Sequence, residues 1–304
     1  MKNILSAIGN TPLVDISELH ALPADTRIFA KIEGCNPGGS IKDRPALCMI
    51  RHAEQKGLLN ANKIILEATS GNTGIALAMI CAALGYRLRI IMPAGVSKER
   101  RAIITAFGAD LELTRAAAGT DGAIHRASTL QDSDPQRYFR PDQFSNAVNI
   151  RAHYETTGPE IFRQTGRTVD IIVAGIGTGG TLMGVGAYLR EVQPNVKIFG
   201  VEPTVGHKIQ GLKNLTESRV PPIFNRSRLD GIVSVDDEEA FAVSRLLALR
   251  AGIFTGISSG AALAGSWKIA RDFPGRTLVT ILPDRGERYL STSLFRSYCG
   301  ECPP

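Results

Sequence analysis

The chain has 304 residues, of which 43% are hydrophobic, enough to bury the core of one large or two medium domains. The formal net charge is +6, but the basic residues are scattered without Lys/Arg blocks or interleaved aromatics, which argues against a nucleic-acid partner. No apolar run approaches the ~18 residues of a membrane span, and the apolar stretch at the start is too short for a signal peptide, so we expect a cytoplasmic protein with no membrane partner.

The cysteines and histidines indicate neither a disulfide framework nor a metal site. Five cysteines is an odd and low count for this length. Cys35, Cys48 and Cys81 stand among apolar or small residues and are predicted to be buried thiols. Cys299 and Cys302 form a CxxC pair without a second CxxC or a histidine pair nearby, and their role stays open. The isolated histidines are predicted to have surface or packing roles.

The first half of the chain alternates strands and helices, with glycines at several helix ends. Its predicted elements are a helix at 46–55, a strand at 63–67, a turn at 68–74, a helix at 75–84, a strand at 88–92, a helix at 97–107 and a strand at 110–114.

The second half repeats the pattern. Its predicted elements are a strand at 170–174, a glycine turn at 175–180, a helix at 181–192, a strand at 196–201, a helix opening at 236–239, a helix opening at Ser258 or Ser259 and a strand at 278–282. Such alternation implies parallel sheets with helices on both faces. We therefore predict an α/β protein with two open, twisted parallel-sheet domains, at 1–147 and 148–304.

Three segments carry candidate chemistry. Lys42 follows a Pro-Gly-Gly turn and precedes a helical run, an unusual setting for a surface lysine, although a surface charge remains the alternative. Residues 67–74 offer hydroxyls, an amide and backbone N–H groups at a helix N-terminus, which suits a carboxylate or phosphate; the alternative is a simple capped turn. The glycines of 175–181 let an anion approach the backbone closely.

The third segment also admits a rival interpretation. Gly175, Gly177 and Gly180 fit G-x-G-x-x-G, and Glu202 lies roughly 20 residues beyond this motif, after a strand, as in nicotinamide-dependent oxidoreductases. That interpretation leaves Lys42 and residues 67–74 without a role.

Taken together, the segments resemble the cysteine synthase (O-acetylserine sulfhydrylase) family of fold-type II pyridoxal-phosphate (PLP) enzymes, whose fold is tryptophan synthase β-like. The resemblance covers nearly the whole chain. The matching stretches, in family order, are 8–13, 39–44, 69–74, 99–101, 142–144, 156–160, 177–181, 256–260 and 286–292. Residues 99–101, the chain length and residues 211–214 resemble the B-type (CysM-like) branch most closely.

The resemblance implies a role for individual residues. Lys42 would carry PLP as a Schiff base and act as the catalytic base, and Asn72 would bond the ring hydroxyl. The substrate carboxylate would be bound by Thr69, Ser70, Gly71, Asn72, Thr73 and Gln143. The cofactor phosphate would be bound by Gly177, Thr178, Gly179, Gly180 and Thr181.

Three further residues follow from the same resemblance. Ser258 is carried over as cofactor-binding. Asp284 stands where the family usually has a serine facing the pyridine nitrogen; a carboxylate favours a protonated ring, which leaves the strength of the electron sink in doubt. Lys213 borders the site entrance, where a cation could meet a phosphate on C3 of the substrate; the alternative is an ordinary solvated charge.

The implied activity is β-replacement on an O-activated L-serine by a sulfur nucleophile, giving L-cysteine. O-acetylserine is the expected donor and O-phosphoserine a further one; a cystathionine- or diaminopropionate-forming reaction is the alternative. The resemblance also implies a homodimer, a mobile part at about 87–131 that closes over the site, and packing of about 13–34 on the other domain. Binding to a serine acetyltransferase stays open.

Overall fold

A computed structural model of the protein describes residues 3–296, so the Cys299/Cys302 pair lies outside the described residues. Two β-sheets with helices packed against them form this part of the chain, which confirms the predicted α/β class. None of the helices within 3–296 combines the length and the hydrophobicity that crossing a lipid bilayer requires.

The strands are β1 (Leu13–Asp15), β2 (Arg27–Ile32), β3 (Ile64–Ala68), β4 (Arg87–Pro93), β5 (Asp110–Thr114), β6 (Tyr138–Phe139), β7 (Ile171–Gly175), β8 (Lys197–Pro203), β9 (Gly231–Val235) and β10 (Thr277–Leu282). The α-helices are α1 (Asp43–Gln55), α2 (Asn72–Leu84), α3 (Lys98–Ala106), α4 (Gly119–Ser133), α5 (Val148–Ala152), α6 (Gly158–Gln164), α7 (Gly180–Val192), α8 (Asp237–Ala251), α9 (Ile257–Asp272) and α10 (Ser293–Arg296). A π-helical turn, His153–Thr157, joins α5 to α6.

The larger sheet has six strands in the order β1-β2-β10-β7-β8-β9, parallel except for the pairing of β1 with β2. The smaller sheet has four parallel strands in the order β5-β4-β3-β6. β2 pairs with β10 along its whole length, from Arg27 opposite Thr277 to Ile32 opposite Leu282. The chain therefore starts in the larger sheet, builds the smaller one, and returns.

The central strands and the site-bearing helix α2 are buried on nearly every side. All residues of β3 are buried, as expected for a parallel strand covered by helices on both faces. Residues 75–81 of α2 are each at most 4% exposed. Because residues 75–81 are packed all round, the body of α2 cannot rotate without breaking the core.

Three helices begin earlier than the sequence predicts. α1 begins at Asp43, directly after Lys42, and α2 begins at Asn72 rather than at 75. α7 begins at Gly180. Glycine, threonine and asparagine have low helix propensity, so the sequence pattern placed the helix starts at the apolar runs. In the structure the turn residues themselves form the first helical turns.

One prediction about the cysteines is wrong in part. Cys81 is buried, but Cys48 is only half-buried and Cys35 is exposed. Cys35 ends the short 3-10 turn Glu33–Cys35, in which Glu33 turns inward to pair with Arg44. The tight turn then leaves the Cys35 side chain at the surface.

Candidate active site

A cleft of about 660 Å³ opens at the carboxyl ends of β3 and β7. Of the predicted site residues, those that line it are Lys42, Thr69, Ser70, Asn72, Thr73, Gln143, Gly177, Thr178, Thr181, Lys213 and Ser258. Those that do not line it are Gly71, Gly179, Gly180 and Asp284, which lie behind its wall. Both predicted anion-binding turns thus share one cleft with the lysine.

Lys42 stands at the start of α1, and its ammonium has no hydrogen bond or ion pair in the described part of the chain. Burial lowers the pKa of Lys42 to about 8, although the negative charges of Asp284 and Glu33 oppose the shift. An ordinary lysine would remain almost fully protonated near neutral pH. A lysine with this pKa has a substantial neutral fraction, as a nucleophile or base requires.

The turn at 69–73 joins β3 to α2. The backbone N–H of Gly71 donates to the Thr69 hydroxyl (3.0 Å), and the Thr73 hydroxyl donates to Gln143 Oε1 (2.6 Å). Ser70 is half-buried, lines the cleft, and has no hydrogen-bond partner among residues 3–296. Free hydroxyls and helix N-terminal N–H groups suit a carboxylate.

Gln143 is held in place by a buried acid. The Asp142 backbone N–H donates to Glu67 Oε2 at 2.8 Å, and the Gln143 carbonyl accepts from Asn149 Nδ2 at 2.8 Å. Burial, with Asp142 nearby, raises the pKa of Glu67 to about 8. Glu67 thus connects the end of β3 to the segment that supplies Gln143.

The turn at 177–181 joins β7 to α7 and is closely packed. Thr178 Oγ1 accepts hydrogen bonds from Asn149 Nδ2 (3.1 Å) and from the Gly180 N–H (3.3 Å). Gly179 has a φ of +85°, and a Cβ there would lie 2.8 Å from Phe224 Cβ. A side chain at Gly179 is therefore excluded both by the backbone conformation and by the neighbour.

His153 supports this second turn from behind. It is buried in the π-helical turn, with Nδ1 2.9 Å from Thr157 Oγ1 and Nε2 3.3 Å from Thr181 Oγ1. Burial, together with the positive charges of Lys42 and Arg44, holds the pKa of His153 well below its usual value. The imidazole is therefore neutral and can orient the Thr181 hydroxyl. Nothing in the local sequence indicated this contact.

Asp284 is the centre of a hydrogen-bond network at the base of the site. Its Oδ2 accepts from Asn72 Nδ2 (2.6 Å) and from the Tyr289 hydroxyl (2.7 Å). Arg288 Nη1 donates to Asn72 Oδ1 (2.7 Å), which fixes the amide orientation. Asp284 Oδ1 is buried and has no partner among the described residues.

Lys213 and Ser258 complete the set of cleft residues. Lys213 is half-buried, with its ammonium 5.3 Å from the centre of the Phe144 ring. Burial lowers the pKa of Lys213, and the negative charge of Asp121 partly offsets this. Ser258 is buried in the first turn of α9, at the cleft wall.

These residues fit PLP. Within residues 3–296, Lys42 has no side-chain hydrogen bond and suits the aldehyde, and Asp284 Oδ1 has no partner and is an acceptor of the kind that a pyridinium N–H needs. The glycine turn suits the phosphate. The phosphate would meet backbone N–H groups and the hydroxyls of Thr178 and Thr181.

Comparisons with known proteins agree with this geometry. Residues 4–284 match the family model described as pyridoxal-phosphate dependent enzyme. The chain is 46% identical to a cysteine synthase of Aquifex aeolicus, over 97% of this chain and 92% of that protein. It is 44% identical to cysteine synthase B of Salmonella typhimurium, over 97% of this chain and 96% of that protein. A solved cysteine synthase from Entamoeba histolytica has a TM-score of 0.91 and 38% identity, over 97% of this chain and 91% of that one.

The match to a cysteine synthase B confirms the resemblance to the B-type branch. None of these relatives supports the dinucleotide interpretation of residues 175–180. The chain belongs to the pyridoxal-phosphate-dependent enzymes and, within them, to the cysteine synthase family.

Proposed function

We propose that the protein makes L-cysteine by PLP-dependent β-replacement on an O-activated L-serine. The observation that carries this proposal is the unpaired Lys42 ammonium, whose pKa is about 8, in one cleft with two anion-binding helix N-termini. The chain is similar, along nearly its whole length, to proteins named cysteine synthase, and this similarity supports the same reaction.

Two sets of residues bind the two anionic groups, one on the substrate and one on the cofactor. Residues 69–73 and Gln143 bind the substrate carboxylate, and residues 177–181 bind the cofactor phosphate. Asn72, Ser258 and Asp284 would hold the cofactor ring, with Asp284 as the partner of its nitrogen. When the substrate carboxylate and the cofactor phosphate are both held, one bond at the substrate Cα is kept in the reactive orientation. This contribution to catalysis is a positioning effect.

PLP, when bound, supplies the electron sink that stabilises negative charge at the substrate Cα. Lys42 would hold the cofactor covalently, and its amine would be free to move a proton while the substrate is bound. Its free amine then accepts the Cα proton while the C3 leaving group departs with its bonding electrons. After the sulfur nucleophile bonds to C3, Lys42 returns the proton to Cα. Burial keeps part of the lysine neutral, as the first transfer requires, and the ammonium formed in that transfer is the donor in the second.

O-acetyl-L-serine is the proposed donor, and O-phospho-L-serine is a further donor because Lys213 supplies a cation at the cleft wall. We also propose the division into domains 1–147 and 148–304, with 13–34 packed on the second domain and 87–131 closing over the site. The pairing of β2 with β10 supports the packing of residues 13–34 on the second domain. Val96, Arg100 and Thr120 line the cleft, which supports the closure of residues 87–131 over the site. A homodimer and a cytoplasmic location remain part of this proposal.

A direct assay tests the function. Purified protein loaded with PLP is incubated with O-acetyl-L-serine and sulfide, and the products are identified by mass spectrometry. We expect L-cysteine, formed only when protein, donor and sulfide are all present. Parallel reactions contain homocysteine in place of sulfide, or O-phospho-L-serine in place of the acetyl donor. Cystathionine from homocysteine, with no cysteine from sulfide, would show that the proposed product is wrong.

A further inference from the structure

Arg100 is a buried cation in the cleft that the roles proposed above do not use. It belongs to α3, is 2% exposed, and lines the cleft. Its side chain packs directly against the turn at 69–73: a Cβ built on Gly71 would overlap Arg100 Cδ and lie 2.6 Å from Nε. Only a glycine at position 71 leaves room for the arginine, so the turn and the guanidinium fit each other.

The same guanidinium reaches the opposite wall of the cleft. Arg100 Nη1 donates to Gln210 Oε1, and Gln210 belongs to the cleft-lining loop at 207–213 that ends in Lys213. The guanidinium also lies over the Tyr289 ring, 4.7 Å from its centre, and Tyr289 donates to Asp284. Arg100 therefore touches the substrate turn, the far wall and the base of the site.

Arg100 Nε is a buried donor without a partner among the described residues. A buried, unpaired N–H of a charged group is unfavourable unless a ligand or a conformational change satisfies it. This donor lies at Gly71, inside the turn to which we assign the substrate carboxylate.

We propose that Arg100 is a positioning residue that ties the turn at 69–73 to the loop at 207–213, so that the turn captures the amino-acid carboxylate in its reactive geometry. The inference rests on the proposed function. Arg100 bridges the two walls through Gln210, and its remaining Nε–H is satisfied when the turn closes on the substrate. The bridge makes no contact with the phosphate turn at 177–181, so its loss should weaken substrate binding more than cofactor binding, although Arg100 also packs on Tyr289.

The docking of α3 does not depend on Arg100 alone. Glu99 accepts hydrogen bonds from the Ser291 backbone N–H (2.7 Å) and hydroxyl (2.8 Å), and the Ser97 hydroxyl donates to the Arg288 carbonyl (2.8 Å). These contacts keep the start of α3 in place when the guanidinium is removed. Substitutions of Arg100 are therefore expected to alter the site without detaching the helix.

The test uses Arg100→Met, Gln210→Leu and the double variant, each as the PLP-bound full chain. Lys98→Met is the matched control, because Lys98 is an exposed cation in the same helix. We expect each single variant to raise KM for O-acetyl-L-serine about tenfold, the size of effect expected for one hydrogen bond to a charged group. The double variant should raise it little further, because both changes remove the same bridge.

Two further readouts separate positioning from general damage. The dissociation constant of L-serine, measured by the change that it causes in the PLP absorbance, should rise with KM. The dissociation constant of PLP and the melting temperature should stay near those of Lys98→Met. Arg100→Lys, which keeps the charge but not the planar fork, should fall between wild type and Arg100→Met.

The outcomes distinguish this inference from the proposed function. Suppose that wild-type protein binds PLP and makes cysteine, but that the effects of Arg100→Met and Gln210→Leu on KM are fully additive or absent. The proposed positioning role of Arg100 is then wrong, and the proposed function stands. If wild-type protein forms no β-replacement product at all, the proposed function fails first. If Arg100→Met does not fold, Gln210→Leu and Arg100→Lys still decide the question through KM and L-serine binding.

Discussion

The two strand-to-helix turns at 69–73 and 177–181 have the same local chemistry but different surroundings. Each follows a buried parallel strand, opens a helix, and presents hydroxyls beside free N–H groups. The second turn is locked: Thr178 is bonded to Asn149, Thr181 lies by His153, and Gly179 is packed on Phe224. In the first turn the Ser70 hydroxyl has no partner within 3–296.

This difference indicates how one motif can serve two ligands. A helix N-terminus attracts an anion wherever it occurs, so it cannot by itself distinguish a cofactor phosphate from a substrate carboxylate. A locked cradle suits a ligand that stays bound through many turnovers. A cradle with unsatisfied donors suits a ligand that enters and leaves in each cycle, because binding supplies the missing partners.

Lys42 lies in the cleft between these turns, and its removal should have the largest effect. We expect Lys42→Ala to lower kcat by at least ~10³-fold, the range of a lost acid–base group, and to abolish the yellow absorbance of lysine-bound PLP. Borohydride reduction of wild type, followed by peptide mass spectrometry, should place the label on this lysine. Lys56→Ala, at the exposed far end of the same helix, is the control. Normal turnover by Lys42→Ala would contradict the proposed function as a whole.

The locked turn should control cofactor affinity alone. Thr181→Val removes a hydroxyl from the phosphate cradle and should weaken PLP binding about 10- to 100-fold, as for a lost hydrogen bond to a charged group. Equilibrium titration of the apoprotein measures this, and KM for the amino acid, taken at saturating PLP, should not change. Thr181→Ser keeps the hydroxyl and should bind PLP nearly as wild type does. A Gly179 substitution is a poorer probe, since φ of +85° and Phe224 would strain any side chain there.

The substrate turn should show the opposite pattern. Thr73→Val removes the hydroxyl that donates to Gln143, so the turn and the glutamine lose their shared orientation. KM for O-acetyl-L-serine should rise about 10- to 30-fold while PLP affinity stays unchanged. Thr73→Ser is the matched control. If Thr73→Val weakened PLP binding, or Thr181→Val raised KM for the amino acid, the division of roles between the turns would be wrong.

The sequence predicted the local features of the two turns, namely the strand before each turn and the helix after it. Strand, glycine turn and helix follow each other within a few residues, so periodicity and glycine position located both turns. The surroundings that distinguish them come from distant parts of the chain. His153 lies 28 residues from Thr181, and Gln143 lies 70 residues from Thr73. No periodic pattern encodes such pairs, which depend on how the sheets pack.

Cys35 and Arg100 show that the local sequence did not predict burial: Cys35 is more exposed than expected, and Arg100 is more buried. The sequence predicts that Cys35 is a buried thiol, yet a short 3-10 turn places it at the surface. Arg100 has basic and acidic neighbours typical of an exposed helix, yet it is buried against Gly71. In both cases the tertiary position overrides the local composition on which the sequence-based expectation depends.

The smallest and most selective effect is expected at Lys213, on the wall facing the substrate turn. Its half-buried ammonium lines the cleft and packs over Phe144, and burial lowers its pKa because the charged form loses hydration there. If this cation meets a phosphate on C3, Lys213→Ala should lower kcat/KM for O-phospho-L-serine about tenfold and leave the O-acetyl-L-serine value unchanged. Lys213→Arg should favour the phosphate donor, because the guanidinium can bind it with two parallel hydrogen bonds. Arg219→Ala, an exposed cation outside the cleft lining, is the control. Equal losses for both donors, or none, would show that Lys213 does not select the leaving group and that donor choice lies in the substrate turn.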